Sequence, residues 1–153
     1  HCTLAIHDRE GHDDVLHILD QEGWPERVIM HCFSGGADLA RECVRHGAWL
    51  SFPGVLTFKN AERTRQALHA TPVDKILVET DAPFLTPHPR RGKRNGPYLI
   101  AHTIRFLSEQ LDWDEASCCE QLRRNTLAAY GGPWEDVHGV TPLQLPASGE
   151  ETR

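Results

Sequence analysis

Short apolar runs and polar breaks alternate along the chain. Cys2 to His7 reads as a mostly apolar strand that stops on a histidine, before the polar Asp8, Arg9 and Glu10. Asp13 and Asp14 open a helix with Val15, Ile18 and Leu19 on one side, and Gly23 with Pro25 ends it. Arg27 to Phe33 repeats the plan, an apolar run closing on His31, followed by the turn Ser34-Gly35-Gly36 and a helix from Ala37 to His46 with Gly47 behind its end. Ala48 to Phe52 is a third strand running into Pro53-Gly54, and Val55 to Phe58 is ambiguous. Asn60 is the expected cap of a helix that turns Ala61, Thr64, Ala67 and Leu68 inward and ends at Pro72.

The fourth apolar run, Ile76 to Val78, stops at Glu79-Thr80-Asp81 before Pro83. A proline-rich loop from Ala82 to Pro97 follows, long enough to mark a functional or disordered segment. Ile100, Ile104, Leu107 and Leu111 then share a helical face. Asp112 with Glu115 reads as a capping box for a last helix reaching Tyr130. Four strand-helix alternations predict a parallel α/β arrangement with right-handed crossovers. Residues 132–153 are rich in Gly, Pro and acids and read as a tail, disordered from about Val140.

Candidate chemistry follows from that topology, because parallel strands bring their carboxyl ends to one rim. His7 ends the first strand, His31 the second and Asp81 the fourth, so two imidazoles and a carboxylate can converge. Such donors suit a divalent metal. Turn formation also explains a strand-end Asp, and the chain holds ten His, so two at strand ends need no chemistry. His12, His17, His46, His69 and His102 fall on or beside helices and read as surface or core residues, and Cys32 as packing. The segment His88 to Arg94 carries Arg90, Arg91, Lys93 and Arg94, which suit a phosphate backbone or simply solvent. Phe84 and Tyr98 flank it and offer stacking surfaces, although core packing is the plainer role for Phe84.

Bulk properties narrow the picture. At 153 residues the chain can bury one core, yet a complete eight-stranded α/β barrel needs about 250. A first strand starting beside His1, with no initiator Met, suggests a piece of a longer protein. A net charge of -6 argues against a surface coated for non-specific nucleic-acid binding, while leaving room for one basic loop. No membrane-length apolar run and no signal peptide are seen. Five cysteines without a C-x-x-C pair fit a reduced, cytoplasmic setting.

The segments His31-Cys32-Phe33-Ser34-Gly35, Ser51 to Asn60, Leu77 to Pro87 and Arg91 to Asn95 occur in an order and spacing that resemble the TatD family from His1 to about Gly131. The resemblance implies the last four βα units of a (β/α)8 TIM barrel and a metal-dependent deoxyribonuclease, of the 3'-5' exonuclease type, cleaving phosphodiester bonds of DNA or a smaller substrate. It implies two divalent ions (Zn, Mg, Mn or similar) per complete site. His7 and His31 would hold one, Asp81 would belong to the other, and Asp81 would also orient or deprotonate the attacking water. The family's H-x-H and bridging Glu are not in this sequence, and Gly96 stands where the family usually carries Glu. The full-length protein is expected to be a monomer. An amidohydrolase acting on C-N or ester bonds, or an inactive fragment, are the competing readings.

Overall fold

The computed structural model describes residues 2–131, so the expected tail lies outside the described residues. Four strands, β1 (Leu4–His7), β2 (Val28–His31), β3 (Trp49–Phe52) and β4 (Ile76–Val78), form one sheet in sequential order, and every pair is parallel. Five α-helices intervene or follow: α1 (His12–Glu22), α2 (Ala37–Arg45), α3 (Glu62–Ala70), α4 (Ile100–Gln110) and α5 (Glu115–Tyr130). The ambiguous segment after β3 is a 3-10 turn, Gly54–Thr57, and another, Pro97–Leu99, leads into α4.

Alternation of side chains along each strand divides the sheet. Val28, Met30, Leu50, Phe52 and Ile76 lie in a core with Ala40, Cys43, Ala67, Leu68, Leu107 and Leu122 of the helices. Leu50, Phe52, Leu68 and Ile76 are essentially inaccessible, and burial of each such side chain contributes about 1.5–3 kcal/mol. The alternate positions Ile29, Trp49 and Leu77 form a second cluster with Ala129. That contact arises because α5 is stitched across the sheet. Asn125 Nδ2 donates to the carbonyls of Val73 and Ile76, both at 2.7 Å, and Thr3 Oγ1 donates to the Ala129 carbonyl at 2.9 Å.

Two expected helix starts differ from the observed ones. Asn60 is exposed and does not cap α3, which begins after Ala61, whose N–H closes a turn onto the Phe58 carbonyl. Asp112 is not the cap of α5; it turns the chain out of α4 in the left-handed conformation (φ 54°), and Asp114 caps instead, its carboxylate accepting the Ser117 N–H at 2.9 Å. The long loop after β4 is held at several points. The His88 N–H donates to Thr57 Oγ1 (2.9 Å), Thr86 Oγ1 to the Lys93 carbonyl (2.6 Å), and Asn95 N–H to the Pro83 carbonyl (3.1 Å). Gly54 makes room for this loop, since a Cβ there would lie 2.1 Å from the Leu85 carbonyl oxygen. Among the described residues no helix is long and apolar enough to cross a membrane.

Candidate metal centre

The parallel register sets His7 directly beside His31, and their rings meet at a centroid distance of 5.5 Å, tilted by 44°. The β3–β4 ladder runs one residue past β4, where the Glu79 N–H donates to the Phe52 carbonyl at 3.2 Å. Cys32 (φ 51°), directly after β2, and Asp81 (φ 54°), three residues after β4, both adopt the left-handed conformation, which non-glycine residues reach at a cost of about 1–3 kcal/mol. These turns swing the chain across the carboxyl rim. Cys32 thereby presents its N–H to Glu79 Oε2 at 3.2 Å.

The same Glu79 oxygen lies 2.8 Å from His31 Nδ1. A carboxylate only accepts, so the geometry assigns a proton to Nδ1, and in the neutral ring the lone pair is then on Nε2. Nε2 faces Asp81 Oδ1 at 3.7 Å. That is too long for a hydrogen bond, and it sets two electron-rich atoms against each other. Cations beside these atoms, at zinc–ligand distances of about 2.0–2.2 Å, would relieve that opposition. Glu79 Oε1 is buried without a hydrogen-bond partner among the described residues. A buried carboxylate oxygen left without a partner is costly, and a nearby cation or its water would relieve it. The residues therefore fit a divalent ion. One atom from each of His31, Glu79 and Asp81 lies within 4.8 Å of the others.

Burial, then the charges of Glu79 and Asp81, push the Cys32 thiol up to about 12. On the far side of His7, Asp8 is buried, takes the Gly11 N–H at 3.0 Å and pairs with His12 Nδ1, so His12 serves the turn that opens α1.

Of the residues singled out in the sequence, His31 and Asp81 come together and His7 stands against His31, outside the compact group of three. Glu79 was not singled out as a site residue. Its signal was its parity with Asp81 and its position one step past the apolar run. Arg90, Arg91, Lys93 and Arg94 are exposed on the loop, with the Arg91 guanidinium 3.9 Å above the Phe58 ring. Phe84 is 68% exposed, so the core role expected for it is not observed, and Tyr98 is 77% exposed. The Tyr98 ring lies over Gly96, where a Cβ would come within 2.6 Å of Cε1. A larger residue at position 96 requires that ring to move.

A family model described as TatD related DNase matches residues 1–131. A Mycobacterium tuberculosis protein named as a metal-dependent hydrolase TatD is 44% identical over 131 residues, covering 86% of this chain and 50% of that protein. The metal-dependent hydrolase YabD of Bacillus subtilis is 47% identical over 108 residues, covering 69% and 42%. The chain thus spans about half the length of these relatives. Among solved structures, the TatD homolog YJJV of Escherichia coli superposes with a TM-score of 0.77 at 27% identity, covering 84% of this chain and 50% of that one. A TatD family hydrolase from Entamoeba histolytica gives 0.74 at 14% identity over 83% and 50%, a likeness of fold.

Proposed function

Because this chain belongs to the TatD-related DNase family, whose fold is a TIM barrel of which these residues form part, we propose that the whole protein is a metal-dependent hydrolase of phosphodiester bonds. Its substrate is DNA, degraded in the 3'-5' direction, and it works as a cytoplasmic monomer. The observation that carries the reading is the opposition of His31 Nε2 and Asp81 Oδ1 at 3.7 Å, backed by Glu79, whose Oε1 atom is buried without a hydrogen-bond partner among the described residues. Bound divalent ions would supply an activated water and charge stabilisation of the phosphate oxygens.

The chain's own groups have separate tasks. Glu79 fixes the His31 tautomer and ring direction through Nδ1, so that Nε2 is presented as a ligand. His7 stands beside it as the second imidazole, and His7 with His31 would hold one ion. Asp81 would hold the other, orient the attacking water and take its proton. Arg90, Arg91, Lys93 and Arg94 would contact the phosphates, Arg91 being held ready over Phe58.

The test is incubation of end-labelled single-stranded DNA with the full chain, alone and joined to the amino-terminal half its relatives possess, with Mg²⁺, Mn²⁺ or Zn²⁺ and with chelator. Stepwise shortening from the 3' end that needs metal and falls at least ~100-fold in His31→Ala is expected. Cleavage of esters or anilides with DNA left intact would move the assignment to an amidohydrolase. Metal-independent cleavage, or none in the joined protein, would remove it.

A further inference from the structure

We infer that Asn95 is a positioning residue for Asp81, acting from the far end of the loop to hold the turn that carries the carboxylate; this rests on the reading of Asp81 as a metal ligand. Asp81 begins a tight turn in which the Phe84 N–H donates to the Asp81 carbonyl at 2.9 Å. Its left-handed backbone comes three residues after the end of β4, and the only other local hydrogen bond among the described residues is a 3.4 Å contact from the Ala82 N–H to Thr80 Oγ1.

Asn95 holds the turn from outside. Its side-chain Nδ2 donates to the Thr80 carbonyl at 2.7 Å and to the Phe84 carbonyl at 2.6 Å, the residues on either side of the turn. Its backbone N–H donates to the Pro83 carbonyl at 3.1 Å, and its Oδ1 accepts the Gly96 N–H at 2.9 Å. Asn95 is 6% exposed, so none of these bonds is readily exchanged for water. The amide is the one side-chain group of this size that donates twice and accepts at the same time. Fourteen positions after Asp81, it therefore closes the ring of backbone that aims the carboxylate at His31.

Asn95→Asp keeps the size and the acceptor for Gly96 while removing both donations. The expected result is loss of hydrogen-exchange protection at the Phe84 amide and a ~10–100-fold weaker affinity for Mn²⁺, followed by paramagnetic resonance of the free ion. Asn95→Ala, which sets no carboxylate against two carbonyls, should behave alike. Thr86→Val removes the bond to Lys93 in the same loop and should lower stability while leaving Mn²⁺ affinity within about twofold. Unchanged Mn²⁺ affinity in the Asn95 variants, or an equal loss in Thr86→Val, would overturn the inference. If neither Asn95 variant folds, an unprotected Phe84 amide in the unsubstituted protein overturns it as well. Absence of Mn²⁺ binding by the unsubstituted protein, with Phe84 protected, would instead strike the reading of Asp81 as a ligand.

Discussion

Replacing Glu79 by Ala tests whether the His31 ring is oriented by its neighbour or merely sits beside it. The substitution removes the acceptor of two bonds, from His31 Nδ1 at 2.8 Å and the Cys32 N–H at 3.2 Å. A hydrogen bond to a charged group contributes about 1.5–3 kcal/mol. Glu79 is 15% and His31 36% exposed at the side chain, so solvent screens part of this, and about 1–2 kcal/mol is the appropriate figure for the ring. At 1.4 kcal/mol per tenfold, that corresponds to a ~5–30-fold fall in the ratio of rings protonated on Nδ1 to rings protonated on Nε2. Nitrogen-15 imidazole shifts in the metal-free protein read the tautomer directly. The unsubstituted protein should show His31 protonated on Nδ1, and Glu79→Ala should show a mixture dominated by Nε2–H. Metal affinity should fall in proportion to the fraction of rings with Nε2 free, by up to that factor. Identical His31 shifts in the two proteins would refute the orienting role, whatever the effect on activity.

Gly54→Ala should destabilise the protein by about 1–3 kcal/mol, because the new methyl meets the Leu85 backbone oxygen at 2.1 Å and no side-chain rotation relieves it; a calorimetric melting temperature within 1 °C of the unsubstituted value would contradict this. Alkaline pH should weaken the fold through Cys43 and Cys118, whose thiols are pushed from 9.0 up to about 12 and about 11, in both cases by burial first, then by Glu42 and Asp8 for Cys43 and by Cys119, Glu115 and Asp114 for Cys118. Above pH 9 the unfolded chain loses these protons while the folded chain keeps them, so stability present below pH 9 declines toward pH 11–12. Urea titrations from pH 8 to 11 check the slope, and Cys43→Ala with Cys118→Ala should flatten it.

The strands were legible because each is a short apolar run ended by a chemical signal, a histidine after β1 and β2, Pro53 after β3 and the acids after β4. The helix starts were less so, since the same residue type serves opposite ends. Asp112 reads as the cap by sequence, yet the exit from α4 claims it: the Trp113 N–H returns to the Ser108 carbonyl at 3.0 Å, leaving Asp114, two positions on, to open α5. Sequence distance hid Asn95 in the same way. Nothing near it advertises a link to Thr80, and only the folded loop sets its amide between two carbonyls.

The site itself divides along this line. Residues that strand periodicity places at the rim, His7, His31 and Asp81, could be named from topology alone, because a parallel sheet must bring strand ends together. The groups that aim them could not. Glu79 reaches His31 across β3, which lies between their strands, and Asn95 reaches Thr80 and Phe84 across the loop. Such contacts arise from where the chain leaves its strands, here through the left-handed turns at Cys32 and Asp81. A change that relaxes either turn should therefore weaken metal binding while leaving the sheet and its helical core in place, since the buried cluster of β2, β3 and β4 contains neither residue.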